Sequence, residues 1–234
     1  MSLLEVQHIN TGYGKKQVLF DVNLLVEEGE TVLLIGSNGS GKSTLFKAMY
    51  GIVPIWNNQV QGKILFNGNE VTNKPSHCLI NKGLMYIPQK NELFEDMTVE
   101  QNLEMALLHL NNKQESKKRI EEVFAQIDIL QSKRKQIASK LSGGERKLLS
   151  LGMVLANRPK AVLYDEPLAG LSGNNVSVVL NWLKTIKENG TTLIVIEHRI
   201  KELLSLADNI IGLKLGRKNA KTLDNIENIK SFMV

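Results

Sequence analysis

The segment Gly36-Ser37-Asn38-Gly39-Ser40-Gly41-Lys42-Ser43 constrains this chain more than any other. It fits G-x-x-x-x-G-K-[ST], and its surroundings fit as well. Thr31 to Ile35, apolar from Val32 onward, suits a buried parallel strand. Residues 42 to 51 read as a helix stopped at Gly51. Each residue type in the loop has a physical task. The glycines let backbone N–H groups close around a phosphate, and the helix that follows adds its positive end. Lys42 is placed to reach β- and γ-phosphates, and the Ser43 hydroxyl to sit on Mg²⁺. Ser37, Asn38, Ser40 and Thr44 complete the cradle. By itself the motif predicts binding of a nucleoside triphosphate and does not choose among the activities that share it.

A second element supplies what such a phosphate needs. Ala161-Val162-Leu163-Tyr164 reads as an apolar strand ending in Asp165 and Glu166. A carboxylate at the strand end can hold phosphate-bound Mg²⁺, which assigns Asp165 to the metal. Glu166 projects differently and can polarise a water for attack on the γ-phosphate.

Other strands and helices place these motifs. Residues 1 to 35 read as strands, with Leu4-Val6-Ile9 and Leu24-Val26 alternating. Gly62 to Phe66 is extended and ends at the turn Asn67-Gly68. Leu84 to Ile87 and Thr192 to Ile196 are further apolar runs, and Val176 to Lys187 a helix ended at Asn189-Gly190. From Val99 to about Arg158 the periodicity is helical, with Leu103, Leu107 and Leu110 on one face and Ile120, Val123, Phe124 and Ile127 on another. Strands alternating with helices predict a parallel sheet, with the helical middle as an inserted lobe.

Composition narrows the setting. At 234 residues the chain forms one domain or a core with an inserted lobe. Cys78 is the only cysteine, so no internal disulfide exists and a reducing compartment is expected. No apolar run approaches the roughly 18 residues of a membrane span, and no signal peptide is expected at the N-terminus. The net charge of +5 is local, in Lys117-Lys118-Arg119 and Lys133-Arg134-Lys135, which read as a solvated helix face and loop. No aromatic residues interleave them, so no nucleic-acid partner is expected. His8, His77 and His109 lack ligand spacing and imply no metal site, while Trp56 and Trp182 read as packing residues.

Leu141-Ser142-Gly143-Gly144-Glu145 adds a second glycine-rich helix start, with Ser142 as a cap. With it the chain resembles the ABC (ATP-binding cassette) ATPases over nearly its whole length, motif by motif and in the family's order. Tyr13 in Thr-Gly-Tyr-Gly looks like the aromatic that stacks on adenine. Gly36 to Thr44 resembles Walker A, and Asp165-Glu166 resembles Walker B with its catalytic glutamate. Gln89, after Tyr-Ile-Pro, resembles the Q-loop glutamine, which touches Mg²⁺ and the attacking water. Ser142, Gly143, Gly144 and Glu145 match the signature, which other P-loop families lack, and His198 resembles the switch histidine at the γ-phosphate. The resemblance implies an α/β P-loop (RecA-like) parallel-sheet core, an N-terminal antiparallel β subdomain and an inserted α-helical subdomain. Core and β subdomain would span residues 1–88 and 159–234, and the helical subdomain 89–158.

It further implies ATP and Mg²⁺ as cofactors, and catalytic roles for Lys42, Gln89, Glu166 and His198. Two cassettes, identical or related, would pack head to tail, the signature of each covering the ATP of the other. The chain would then be cytoplasmic, peripheral on the inner face of the cell membrane through integral membrane transporter subunits. Residues Gly51 to Leu103 are similar to the ATP-binding subunits of branched-chain amino acid importers and equally to the ATPase of lipopolysaccharide export. Gln89 leans slightly toward the latter, and the two stay open. Lys90 to Asp96 would meet the membrane subunit, with Leu93 and Phe94 as the apolar contact. A soluble ABC ATPase acting on ribosomes or DNA, an iron–sulfur assembly scaffold and a non-hydrolysing binding module are the competing classes. The first lacks its usual second cassette or long coiled-coil insertion here, and Glu166 with His198 argues against the last. Two departures stand out. The loop after Pro167 ends in Ser172 where the family has Asp, and the tail after Asp208 lacks the family's closing glycine turns.

Overall fold

The computed structural model describes residues 2–56, 60–90 and 93–218. Three strands open the chain: β1 (Ser2–Tyr13), β2 (Lys16–Glu27) and β3 (Thr31–Ile35). Helix α1 (Lys42–Met49) follows the glycine loop, then β4 (Lys63–Phe66), β5 (Asn69–Glu70), α2 (Ser76–Asn81) and β6 (Leu84–Ile87). The helical stretch holds α3 (Val99–Ala106), α4 (Lys113–Gln126), α5 (Asp128–Ser132) and α6 (Gly143–Asn157). The chain returns to β7 (Ala161–Asp165), α7 (Asn174–Glu188), β8 (Thr192–Ile196), α8 (Ile200–Leu203), β9 (Asn209–Lys214) and β10 (Arg217–Lys218).

Two sheets result. One is antiparallel, in the order β2-β1-β4-β5, and the other runs β10-β9-β3-β8-β7-β6. In the larger sheet β3, β6, β7, β8 and β9 pair in parallel, and β10 closes the edge antiparallel to β9. A single turn at Leu215-Gly216 ends the sheet where the family's glycine pair is missing, with the Gly216 carbonyl accepting from Phe20 N–H.

The strand sequences explain the layering. β3, β7 and β8 are buried at every position, so alternate residues face two different cores. Leu33, Ile35, Val162, Tyr164, Leu193 and Val195 belong to the core shared with the helices. Val32, Leu34, Ala161, Leu163, Ile194 and Ile196 belong to the core shared with the antiparallel sheet and α1. The parallel sheet is thus clamped between two apolar layers, and the loops at its carboxyl ends are held on a rigid support.

The helical segment joins the first of these cores directly. Leu103, Leu107, Ile120, Val123, Phe124 and Ile127 all pack into one cluster, so the two apolar faces read from the sequence meet. One arginine of each basic triplet is held by carboxylates of this segment. Arg134 bridges Glu100 at 2.5 Å and Glu121 at 2.7 Å and lies over the Phe124 ring, while Arg119 pairs with Glu115. Helix α2 had no clear periodic signal in the sequence. It is six residues long, with only Leu79 buried.

Candidate nucleotide site

Four chain segments meet at the carboxyl ends of β3, β6, β7 and β8. Val18, Asn38, Gly39, Gly41, Lys42, Ser43, Thr44, Gln89, Glu166 and His198 line one cleft of about 370 Å³. Ligands of open parallel sheets bind at this edge because the loops diverge there.

The glycine loop is wedged against its neighbours. A Cβ at Gly36 would lie 2.2 Å from the Leu213 carbonyl oxygen, and one at Gly41 2.6 Å from Leu19 Cδ2. Both glycines have positive φ, +154° and +103°. Gly41 is also the residue before α1, where no side chain caps the helix. The first-turn N–H groups of α1 therefore lack a side-chain acceptor, which leaves them for an anion. Lys42 is buried, and its ammonium donates to the carbonyls of Gly36 at 2.8 Å and Ser37 at 3.1 Å. Burial pushes the Lys42 pKa down, against the opposing pull of Glu166 and Asp165.

Asp165 ends β7 in a buried position, and Oδ1 has no hydrogen-bond partner among the described residues. Burial pushes its pKa up, while a hydrogen bond from Ser43 and the nearby Lys42 work the other way. An orphaned carboxylate oxygen beside a serine hydroxyl is a donor set suited to a hard divalent cation.

Glu166 follows with φ +54°, a left-handed conformation that a non-glycine residue adopts at a cost of about 1–3 kcal/mol. Its N–H is held by the Ile196 carbonyl at 2.8 Å. That turn carries the carboxylate between two predicted site residues. Gln89 Nε2 donates to Glu166 Oε2 at 2.5 Å, and His198 Nε2 lies 3.3 Å from Glu166 Oε1.

Tyr13 stands at the rim, half exposed, its hydroxyl 3.5 Å from Thr44 Oγ1. Ser142 to Glu145 are not among the residues lining the cleft. They form the first turn of α6, closed by a capping box. Ser142 Oγ accepts from Glu145 N–H at 3.4 Å, and Glu145 Oε2 accepts from Ser142 N–H at 2.9 Å. Lys133 reinforces it at 2.7 Å and holds the Glu145 carboxyl below its usual range. The box does not use the N–H groups of Gly143 and Gly144. Gly144 is pressed against Asn175 in the first turn of α7, where a Cβ would come within 2.8 Å of Asn175 Cγ.

One expectation is corrected. Leu93 is buried in the helical core and offers no surface for a partner, because the chain turns there to seat Phe94 against Asn102. Phe94 is exposed at 47%. Asn91 and Glu92, within the same predicted contact, lie outside the described residues. Two contributors escaped sequence reasoning. Val18 lines the cleft from β2, and its only signal is membership of an alternating strand. Glu197 is buried beside His198, and the signal was a charge directly after an all-apolar strand.

A phosphate loop, a buried aspartate and a flanked glutamate on a parallel sheet define a P-loop nucleotide-hydrolysing protein. The family described as "ABC transporter" matches residues 19–169, well over half of the chain, and the chain belongs to that family. The chain is similar to the "Probable branched-chain amino acid transport ATP-binding protein LivF" of Archaeoglobus fulgidus, 31% identical over 92% of this chain and 89% of that protein. It is 32% identical to the "High-affinity branched-chain amino acid transport ATP-binding protein BraG" of Pseudomonas aeruginosa, over 92% and 90%. It is 32% identical to the "Lipopolysaccharide export system ATP-binding protein LptB" of Haemophilus influenzae, over 91% and 88%. A nucleotide-free ATP-binding cassette from an ABC transporter matches with a TM-score of 0.84, covering 99% of this chain and 95% of that one at 26% identity. The ADP conformation of the cassette MJ1267 matches at 0.82, covering 99% and 94% at 28% identity. The chain is an ATP-binding, ATP-hydrolysing subunit of this family.

Proposed function

We propose that the chain powers a branched-chain amino acid importer, hydrolysing ATP in composite sites between two head-to-tail cassettes. The observation that carries the catalytic part is the gathering of Lys42, Gln89, Glu166 and His198 around one cleft, from segments up to 156 residues apart (198 − 42). The two relatives named for branched-chain amino acid transport support the cargo class. Lipopolysaccharide export is the second reading, favoured by Gln89 and by the similarity to LptB.

In this reading the N–H groups of the glycine loop and of α1 hold the phosphates, and Lys42 neutralises the β- and γ-phosphate charge. Tyr13 stacks on the adenine from the rim. Ser43, Asp165 and Gln89 would hold Mg²⁺, which when bound neutralises phosphate charge. Glu166 accepts a proton from the attacking water, while Gln89 and His198 keep its carboxylate aimed at the γ-phosphate. The first-turn N–H groups of α6 at Gly143 and Gly144, which the capping box leaves unused, face the ATP of a second copy. Residues 1–88 and 159–234 act as core and β subdomain, and 89–158 as the lobe that moves. The membrane subunits dock near Phe94, which places the chain at the inner face of the membrane. Among the described residues no helix is long and apolar enough to cross one.

Light scattering on Glu166→Gln tests the scheme. With Mg-ATP the variant should shift from monomer to dimer, since binding proceeds and hydrolysis is blocked. A variant that binds no ATP overturns the site. One that binds ATP and stays monomeric overturns the self-sufficient homodimer.

A further inference from the structure

Glu197 is a charged side chain in a place where charge is expensive. It is only 4% exposed, at the end of β8, and makes no ion pair among the described residues. Its carboxylate is satisfied by backbone alone. Oε1 accepts from His198 N–H at 2.7 Å and Arg199 N–H at 3.1 Å, and Oε2 accepts from Leu168 N–H at 3.0 Å. Leu168 is two residues beyond Glu166. One carboxylate therefore ties the turn that carries Glu166 to the turn that carries His198, whose side chains meet at 3.3 Å.

A second tie runs parallel to it. Arg199 Nη1 donates to the Leu171 carbonyl at 2.9 Å, and Glu202 accepts from Arg199 Nε at 3.2 Å. The loop from Leu168 to Leu171 is thereby strapped at both ends to the turn after β8. It leads directly into Ser172, which stands where the family has Asp. An uncharged serine gives this loop no carboxylate of its own, and the strap is built instead from charges on the neighbouring turn.

We propose that Glu197 is a positioning residue for ATP hydrolysis: by bonding Leu168, His198 and Arg199 at once it sets the separation of His198 and Glu166. It touches no reacting atom. The inference rests on the proposed roles of Glu166 and His198.

Two variants of the full chain test it. Glu197→Gln replaces one oxygen by an NH₂ group, which must face either Leu168 N–H or the His198–Arg199 pair, donor against donor. Glu197→Asp keeps the charge but withdraws it by about 1.5 Å, so it can serve only one side of the strap. Each should lower kcat by roughly 10²-fold, the scale of a 1 Å misplacement, while KM for ATP and equilibrium ATP affinity stay within about twofold. On a His198→Ala background the same changes should cost less than about threefold, because the group they position is gone. An equal loss on both backgrounds, or a parallel loss of ATP affinity, would mark a merely structural role and overturn the proposal. If His198→Ala alone keeps wild-type kcat, the reading of His198 fails and the proposal with it. If His198→Ala is slow but both Glu197 variants turn over normally, only the strap fails.

Discussion

Gly36→Ala should both destabilise this protein and slow its ATP turnover, because the methyl group is added inside the phosphate loop. The added Cβ would lie 2.2 Å from the Leu213 carbonyl oxygen and 2.7 Å from Ser40 Oγ. A carbon and a carbonyl oxygen approach to about 3.3 Å, so the loop or β9 must give way by roughly 1 Å. The serine can rotate, but the Leu213 carbonyl belongs to a strand paired with β3 from Val32 to Ile35. Backbone strain at φ +154° adds about 1–3 kcal/mol, and overpacking a further 1–3 kcal/mol or so. Taking about 3 kcal/mol at 2–4 °C each, Tm should fall by roughly 6–12 °C. Gly68→Ala is the control. It has φ +72° and nothing within 4 Å of an added Cβ, so it keeps the strain without the collision. Its cost of about 1–2 kcal/mol should lower Tm by roughly 2–8 °C and leave turnover alone. Differential scanning fluorimetry and steady-state ATPase assays on both variants read these quantities. In kcat/KM the displaced loop of Gly36→Ala should cost on the order of 10²-fold. If Gly36→Ala matches Gly68→Ala in melting and keeps kcat/KM within about threefold of wild type, β9 does not wall the phosphate loop.

Two further outcomes follow from other parts of the molecule. Phe94→Asp should leave ATPase activity of the isolated chain intact and abolish its capture by detergent-solubilised membrane subunits; normal capture would remove this face from the docking surface. Asp208 accepts from Thr31 N–H at 2.7 Å and from Lys187 at 2.8 Å, tying α7 and the start of β9 to β3. Burial works upward on its carboxyl, and Lys187 with Thr31 N–H outweighs it, so the pKa is lowered. A lowered carboxylate pKa contributes stability above the unfolded value near 3.9, and that contribution is lost as pH falls through the folded value. Asp208→Asn should therefore cost about 1 kcal/mol at neutral pH, discounted for half-exposure, or some 2–4 °C. Melting curves should show that gap close below about pH 4; a gap that persists in acid would mean the ion pair is not its source.

Much of the site was legible in the chain because its chemistry is local. A glycine cradle, a lysine and a serine must be consecutive to wrap one phosphate, so Gly36 to Thr44 declare themselves, and Asp165-Glu166 do so because an apolar strand must end where the carboxylates begin. The all-apolar runs of β3, β7 and β8 likewise announced a sheet covered on both faces, since only that arrangement buries consecutive side chains. Element boundaries in the helical stretch were less visible. Its two apolar faces belong to different helices, and periodicity within each helix says nothing of what it packs against.

What the sequence determined by itself is the set of reacting groups and the order of the motifs that present them. Only the tertiary structure decided that Gln89 and His198 converge on Glu166, since parallel pairing of β6, β7 and β8 brings together side chains 77 and 32 residues apart (166 − 89 and 198 − 166). It alone decided that Leu93 is core and Phe94 surface, because adjacent apolar residues are equivalent until the chain bends around Asn102. It also gave Glu197 its meaning. A buried carboxylate's partners are backbone N–H groups, which every residue carries and no pattern of side chains reveals.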